Sequence, residues 1–532
     1  MSVPKFLGTR IAGSSSILLA LTAIVPVSPA LVAQDALAPK SMKVIGEVDP
    51  RYVSYNVEAV EVTGGRFWAP YSKMGSAPPP PPQGALSVGQ ENDPRFHYRP
   101  PIDLSNGKLR NLAAALGPAF VRVSGTWRNA TYFQNDDNPP MKAAPKGFQN
   151  VLTRAEWKGV VDFAHAVHGD IVASVTTSEG VRDKDGVWTD TQAKAWFDYT
   201  KSIGGSIAAM EFMNEPTIMA LSGAPDQYGA AEYGRDSKLF GTFLHKQSPA
   251  TIYLGPSSTA EGLPGPPLGG LRLRFIPSES LLKATGPLFA GFSYHVYYAV
   301  SHRCMGANGT DVKTVLDPEW FQRGEMVEQF YARLRDQYLP GKPLWLTETG
   351  EASCGGDTWA SSFVDTFRLL DQLGNLAQHS VQSVMINTLV SSDYGLIDEN
   401  TLEPRPNYWA ALLWKRTMGT KALDSGIAGT PLRVYSQCTK DTPGGVSVLV
   451  LNVDKNAAHS IKVPISSQRF TLSSTDLLSQ SVLLNGQPLQ TSADGKVPAF
   501  VPEKVAAGVV SFAPLTVTVL TIPSAANPAC RR

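Results

Sequence analysis

Between positions 50 and 420, short β-branched or apolar runs alternate with longer stretches of helical periodicity, and few folds accept that alternation. The candidate strands are Tyr52–Val60, Ala119–Ser124, Asp170–Thr176, Ile207–Met213, Thr251–Gly255, Gly291–Tyr297, Pro343–Thr349 and Ser383–Thr388. Helical stretches such as Lys108–Leu116, Arg154–His165, Thr191–Ser202, Glu319–Gln337 and Thr358–Leu373 fall between them. Eight strands, each followed by a helix, is the count of a (β/α)8 TIM barrel, which places the chain in the α/β class with the barrel over 48–420. An open doubly wound sheet is the competing arrangement, but no Gly-x-Gly-x-x-Gly turn follows any strand.

After about Lys421 the helical patterns stop. Leu432–Ser436, Gly445–Val453, Ser460–Pro464, Phe470–Leu472, Val482–Leu484 and Thr516–Ile522 alternate in the manner of strands and predict an antiparallel β-sandwich over 421–530. Residues near 41–50 are placed to add a strand to it. One long insertion, from Gly64 to about Asp103, leaves the first strand on what is to be the catalytic face and carries the run Pro78–Pro82. A proline run alone reads as flexible decoration. The flanking Phe67, Trp68, Tyr71, Phe96 and Tyr98 suit a packed loop bordering a cleft instead, and both readings stay open.

Residues 1–33 read as an export signal. Lys5 and Arg10 form its positive region, Ile17–Val25 its apolar stretch, and small residues follow around Ser28–Ala33. Cleavage after Ala30 and cleavage after Ala33 fit equally. The mature protein is therefore expected to be secreted or periplasmic, with no membrane partner once the signal is removed. Charged residues are 17% of the chain and the formal net charge is +1, so no nucleic-acid footprint exists and no polybasic stretch would hold a sulfated polymer by charge alone. Cys304, Cys354, Cys438 and Cys530 suit an oxidising compartment and allow three pairings. Cys438 with Cys530 is the most economical, since both fall in the sandwich. Cys304 and Cys354 each follow a barrel strand on the catalytic face, as a second bridge or as two buried thiols. Without a Cys-x-x-Cys, and with His295 and His302 too far apart for a helix-mounted zinc pair, no metal and no cofactor is expected. Asn129-Ala130-Thr131 and Asn308-Gly309-Thr310 match the glycosylation sequon. Oligomeric state is not fixed by the sequence.

The chemistry lies in two carboxylates. Glu215, within Asn214-Glu215-Pro216, follows the fourth strand, and Glu348 closes the seventh. Barrel active sites form where the strands end, so both acids would face one cavity. Cleavage of a glycosidic bond needs that pair: one acid protonates the departing oxygen and the other attacks or stabilises the anomeric carbon.

The segments Val121–Thr126 (VRVSGT), Glu211–Pro216 (EFMNEP), His295–Tyr298 (HVYY), Trp345–Gly356 (WLTETGEASCGG), Tyr394–Asn400 (YGLIDEN), Pro406–Trp409 (PNYW) and Leu432–Cys438 (LRVYSQC) resemble the heparanase-like β-glucuronidases, glycoside hydrolase family 79 of clan A. The likeness runs from about Val48 to Cys530 and implies a barrel with a sandwich built mainly from the C-terminal part. It implies Glu215 as acid/base, Glu348 as nucleophile, Asn214 as a partner of the sugar 2-hydroxyl and Tyr297 as the support of the nucleophile. His295 is expected to have a supporting or structural role rather than to carry the proton. The turn Cys354-Gly355-Gly356 and the Tyr394 hydroxyl match positions that hold the uronate carboxylate, with Cys354 in place of the family's first glycine. Thr126 and Glu58 match positions lining the sugar site; heparanase has Asp at the latter. The lysine and arginine that heparanase directs at sulfate have no counterpart in Thr217–Leu221 or Ser257–Leu263, and only a short segment joins Asn138 to Val151, so no cleavage into two chains is expected.

The resulting expectation is a retaining, exo-acting hydrolase whose partner is a carbohydrate bearing β-linked glucuronic acid or its 4-O-methyl form. Endo-cleavage of a glucuronic-acid polysaccharide is one alternative. Another clan A glycosidase without uronate specificity is a second, and a non-catalytic glycan-binding barrel a third.

Overall fold

A computed structural model of the chain describes residues 35–74, 93–221, 223–265, 274–428 and 432–531. The expected export signal and the run Pro78–Pro82 lie outside the described residues. Eight parallel strands close into a barrel: β1 (Val53–Asn56), β2 (Ala119–Val123), β3 (Gly169–Ser174), β4 (Ile207–Glu211), β5 (Ile252–Ser258), β6 (Gly291–Val300), β7 (Leu344–Ser353) and β8 (Val384–Ile386), with β8 pairing back onto β1. A helix follows each in turn: α1 (Gly107–Ala115), α2 (Arg154–Ala166), α3 (Thr191–Ser202), α4 (Ala230–Gln247), α5 (Ser278–Thr285), α6 (Pro318–Tyr338), α7 (Phe363–Gln378) and α8 (Pro406–Thr417). The expected barrel is borne out. Helix α2 shows why the outer ring forms. Thr153 accepts from the Glu156 N–H and Glu156 reaches back to the Thr153 N–H, which satisfies donors at the helix start. Trp157, Val160, Val161 and Ala164 then make one buried stripe.

Two strand ends differ from the sequence reading. Strand β1 stops at Asn56 rather than Val60, because Ala59–Thr63 forms a helical turn in which Glu61 accepts from the Glu58 N–H at 2.6 Å. Strand β7 runs on past Glu348 to Ser353, paired with β6 through Val300–Ser353. The two strands therefore project beyond the rim as a ribbon.

Inside the barrel the lower level is apolar: Phe120, Val172, Ala209, Leu254, Trp345 and Met385 form one buried cluster. Side chains alternate along a strand, so the next inward position on each strand lies one level higher, at the mouth. There the sequence turns polar, with Asn56, Arg122 and Glu211.

The second region is a large sheet ordered Val44–Glu47, Met418–Leu423, Leu432–Thr439, Val446–Asn452, Thr516–Ile522, Ser467–Ser473 and two short strands, with Glu503–Val505 pairing on Ser467–Ser473. A two-stranded sheet, His459–Val463 with Gly508–Phe512, covers one face. Val446, Val448 and Val450 pack with Ile461, Val463, Val510 and Phe512, whereas Leu449, Leu451, Val517 and Val519 belong to the core shared with the barrel helices. This explains why Val446–Asn452 is buried at every position rather than at every second one. Cys438 is bonded to Cys530, and Cys304 to Cys354. Among the described residues no helix is long and apolar enough to cross a membrane.

Because Leu449 lies in the core common to both regions, Leu449→Ala should cost about 2–5 kcal/mol. Urea unfolding followed by barrel tryptophan fluorescence and by far-UV circular dichroism should show one coincident transition shifted to lower urea. Two separated transitions would show that the regions unfold independently.

Candidate active site

A cavity of about 570 Å³ opens over the carboxyl ends of the strands, and Glu215 and Glu348 both line it. How Glu348 reaches it depends on an irregularity in β7. The pairing with β6 skips a residue, from Tyr294 opposite Leu346 to His295 opposite Glu348. A bulge of this kind turns two consecutive side chains to one face. Thr347 donates to Glu211 Oε1 at 2.8 Å, and Glu348, the next residue, accepts from Arg122 at 2.9 Å.

Arg122, 1% exposed on β2, gathers the polar groups of the mouth. Its Nη2 donates to Glu211 Oε2 and to Asn214 Oδ1, each at 2.8 Å. Its Nη1 donates to Glu348 Oε2 at 2.9 Å and to Asn56 Oδ1 at 3.1 Å. Burial pushes the Glu211 carboxyl up, yet Arg122, with His295 and Thr347, holds it below the usual range. Tyr297 donates to the other oxygen of Glu348 at 2.7 Å. Asn387, just beyond β8, donates to the Tyr297 hydroxyl at 2.9 Å and to Tyr394 Oη and Glu58 Oε1 at 3.2 Å each.

Glu215 sits at φ +50° after β4. Burial raises its pKa to about 7 against the opposing effect of Arg122 and a hydrogen bond from Thr259. His295 stands between the two acids, with Nδ1 at 3.0 Å from Glu215 and 3.6 Å from Glu348. Burial, and after it Arg122, lower its pKa to about 4 despite the pull of Glu348 and Glu211, so the ring is neutral and the contact with Glu215 is a hydrogen bond rather than an ion pair. Arg122 Nη2 and Ser257 Oγ lie 3.2 and 3.1 Å from His295 Nε2, and Nδ1 faces Glu215 Oε1. One oxygen of Glu215, one of Glu348 and a His295 nitrogen all lie within 4.8 Å of one another.

Of the residues expected from sequence, Glu58, Thr126, Glu215, Tyr297, Glu348, Cys354 and Tyr394 line the cavity. Glu58 is pushed well above the ordinary range by burial and by the neighbouring Glu348 charge. Gly125 makes room for it, since a Cβ there would lie 1.6 Å from Glu58 Oε2. Asn214 is 1% exposed below the wall, its oxygen held by Arg122 and its Nδ2 without a protein partner among the described residues. Gly355 and Gly356 do not reach the wall. They pack against Trp68, Arg303 and Ser392, and against Glu351, Ala360 and Tyr394. Arg303 donates to the carbonyls of Cys354 and Gly356, and Ser392 to that of Gly355. The N–H groups of Gly355 and Gly356 have no protein acceptor among the described residues.

The described part of the long insertion is packed. Gly65–Trp68 and Phe96–Arg99 form a hairpin, Trp68 lines the cavity, and its ring stacks on Phe96 at 4.5 Å. Tyr71 lies under the Arg303 guanidinium at 4.3 Å, while Tyr98 is 64% exposed. Asn129, the first residue of one sequon, is buried with its carboxamide bonded in both directions to the Asn214 backbone at 3.0 Å. It is not free to carry a glycan. Sequence reasoning gave no role to Arg122, Glu211, Asn387 or Arg303. The available signal for the first three was a polar residue at an inward position near the end of a barrel strand; Arg303 offered none.

A model of "Glycosyl hydrolase family 79, N-terminal domain" matches residues 101–374. The baicalin-β-D-glucuronidase of Scutellaria baicalensis is 32% identical over 449 residues, covering 75% of this chain and 80% of that protein. The hyaluronoglucuronidase of Hirudo nipponia is 27% identical, covering 74% and 85%, and the heparanase of Mus musculus 27%, covering 80% and 86%. Among solved structures, a 4-O-α-L-rhamnosyl-β-D-glucuronidase of Fusarium oxysporum superposes with a TM-score of 0.61 at 13% identity, over 92% of this chain and 99% of that one. A family 51 α-L-arabinofuranosidase of Bifidobacterium longum gives 0.58 at 13% identity, over 90% and 97%. At such identities the structural likeness speaks for the fold.

Removing the guanidinium with Arg122→Met should leave Glu211 buried beside no cation and cost about 3–5 kcal/mol at pH 7. In the wild type the lowered Glu211 pKa stabilises the fold above the unfolded carboxyl pKa. In the variant burial alone would raise that pKa, so the penalty should shrink as pH falls and Glu211 takes up a proton. Urea midpoints at pH 7 and pH 5 measure this. A penalty that does not change with pH would mean the loss comes from packing.

Proposed function

The chain belongs to glycosyl hydrolase family 79, and from that membership we propose that it is a retaining, exo-acting β-glucuronidase releasing terminal glucuronic acid, or its 4-O-methyl form, from glycosides and glycans. The observation that carries the proposal is the approach of Glu215 and Glu348 from two strands to within 4.8 Å across one cavity. Retaining enzymes place their carboxyls about 5–5.5 Å apart and inverting ones about 6.5–9.5 Å.

In this reading Glu348 is the nucleophile. Arg122 on one oxygen and Tyr297 on the other fix its rotamer. Its oxygen bonds to the anomeric carbon as the bond to the leaving oxygen breaks. Glu215, protonated below about pH 7, gives its proton to that oxygen, with His295 Nδ1 hydrogen-bonded to its Oε1. Formation of the glycosyl-enzyme removes the charge on Glu348. Glu215 then takes a proton from water, which attacks the anomeric carbon and frees Glu348. The Asn214 Nδ2, without a protein partner among the described residues, is the proposed donor to the sugar 2-hydroxyl.

The Tyr394 hydroxyl on the wall supports uronate recognition. So does Cys354, which the turn presents on the same wall while Gly355 and Gly356 stay behind it. Trp68, Trp127 and Tyr394 cluster on the cavity wall, a bulky aromatic lining that supports exo action. The relatives named for glucuronidase activity support the same substrate class.

Glu348→Gln should abolish hydrolysis of an aryl β-glucuronide, and proton NMR of the wild-type reaction should show the β-anomer as first product. An α-anomer would overturn the retaining mechanism. Because Glu215 is active in its protonated form and its pKa is raised to about 7, kcat/KM should fall as pH rises through that value. Glu215→Gln should lose about 10²–10⁴-fold in rate and with it the alkaline limb. An alkaline limb retained by the variant would assign the proton to another group.

A further inference from the structure

The cavity extends well past the two acids, and its two ends differ in chemistry. On the side of Glu348 stand Tyr297, Glu58, Asn387 and Tyr394, joined by hydrogen bonds. On the side of Glu215 the wall continues from its partner Thr259 into the loop after β5 and onto helix α6. That loop sits directly on the helix. Gly262, at φ +87°, has a Cβ direction that would meet Val327 Cα and Phe330 Cβ at 3.0 Å, so only glycine permits the approach. Glu319, Gln322, Arg323 and Met326 recur at helical spacing along α6, so one face of that helix lines the cavity.

Apolar side chains line the cavity beside this loop and helix, Ile218, Leu263, Met326 and Val327, with Val300 and Met305 also on the wall. Two of these are methionines, whose thioethers adapt to and contact aromatic rings. Its charges are ill suited to an anion. Glu261 and Glu319 line it, Arg323 is the one arginine, and no lysine is present among the described lining residues. The Arg323 guanidinium already donates to the Tyr298 carbonyl and lies 5.0 Å over the Trp320 ring. A volume of about 570 Å³ is more than a single sugar ring requires and falls in the roughly 300–1,000 Å³ range of sites that enclose drug-sized molecules.

We infer that the half of the cavity beyond Glu215 is a leaving-group site for an aromatic or similarly apolar aglycone, not for a sulfated or uronate-bearing sugar. The inference rests on the proposed role of Glu215, which sets the side from which the leaving group departs. The apolar wall removes ring surface from water, and the described lining residues supply too little cationic charge to replace the hydration of a sulfate.

The test is titration calorimetry on the full-length Glu348→Gln protein with 2-naphthyl β-glucuronide, methyl β-glucuronide, 2-naphthyl β-glucoside, and β-glucuronosyl-N-acetylglucosamine with and without a 6-sulfate. The naphthyl glucuronide should bind at least 10-fold more tightly than the methyl glucuronide and than either disaccharide. Equal or tighter binding of the sulfated disaccharide, or no gain over the methyl glucuronide, overturns the inference and leaves the glucuronidase reading standing. A naphthyl glucoside that binds as tightly as the naphthyl glucuronide has the opposite meaning: the aglycone site holds and uronate selectivity fails. In the otherwise wild-type enzyme, Met326→Asp should lower kcat/KM for the naphthyl glucuronide about 10-fold with an unchanged urea midpoint. An unchanged kcat/KM would exclude this wall from aglycone binding.

Discussion

One guanidinium allows the mouth of this barrel to exist. Four carboxyls, from Glu58, Glu211, Glu215 and Glu348, crowd the space above the apolar plug, and Arg122 is the cation that bonds to two of them. A single positive charge cannot balance four negative ones in a site from which water is largely excluded. Arg122 bonds directly to Glu211 and Glu348, and the other two relieve the excess by staying protonated: the pKa values of Glu58 and Glu215 are both raised. Burial is the first cause in each case, with the charge of Glu348 adding to it at Glu58. The same guanidinium holds the Asn214 carboxamide oxygen and lies beside the His295 ring. In the proposed mechanism, acid and nucleophile are distinguished by which of them the arginine reaches, without any difference in side-chain type.

The walls of the cavity come from departures from the minimal barrel. The β6–β7 ribbon projects above the rim, and the hairpin inserted after β1 leans across to meet it. Arg303 joins the two. It donates to the Ala69 carbonyl and to Asp393 at 3.0 and 2.6 Å, its N–H donates to the Tyr71 hydroxyl at 3.0 Å, and it reaches two carbonyls of the Cys354 turn. The neighbouring Cys304 is bonded to Cys354 itself. The turn assigned to the uronate is therefore anchored both covalently and through a buried arginine.

The architecture was readable because its signals are periodic. Eight apolar runs fell on the eight barrel strands, and Thr191–Ser202 coincides with α3 end to end. Glu215 and Glu348 were readable as a pair, because both fall at the ends of expected barrel strands, which share one face. What escaped was set by tertiary contact. The bulge at Thr347 leaves no mark in a run of apolar and polar residues, yet it decides where Glu348 points. Arg122 lies inside a segment picked out by resemblance and looks from sequence like any strand arginine. The extension of β7 to Ser353 depends on its pairing with β6, since Gly350, Glu351 and Ser353 are poor strand formers alone. Gly355 and Gly356 matched a motif, but packing against Trp68 and Glu351 sets them behind the surface that Cys354 presents.

The edge strand Val44–Glu47 pairs with Met418–Leu423, a partner that follows the whole barrel in the chain. During synthesis that early strand emerges long before anything exists for it to pair with. A free strand edge is a template for association with other chains. Its exposed pattern, with Val44 and Ile45 each more than 40% accessible even when paired, makes the waiting period a hazard. Completion of the sheet is thus deferred until nearly the full polypeptide has been made, and partially synthesised chains depend on chaperones or on speed to stay apart.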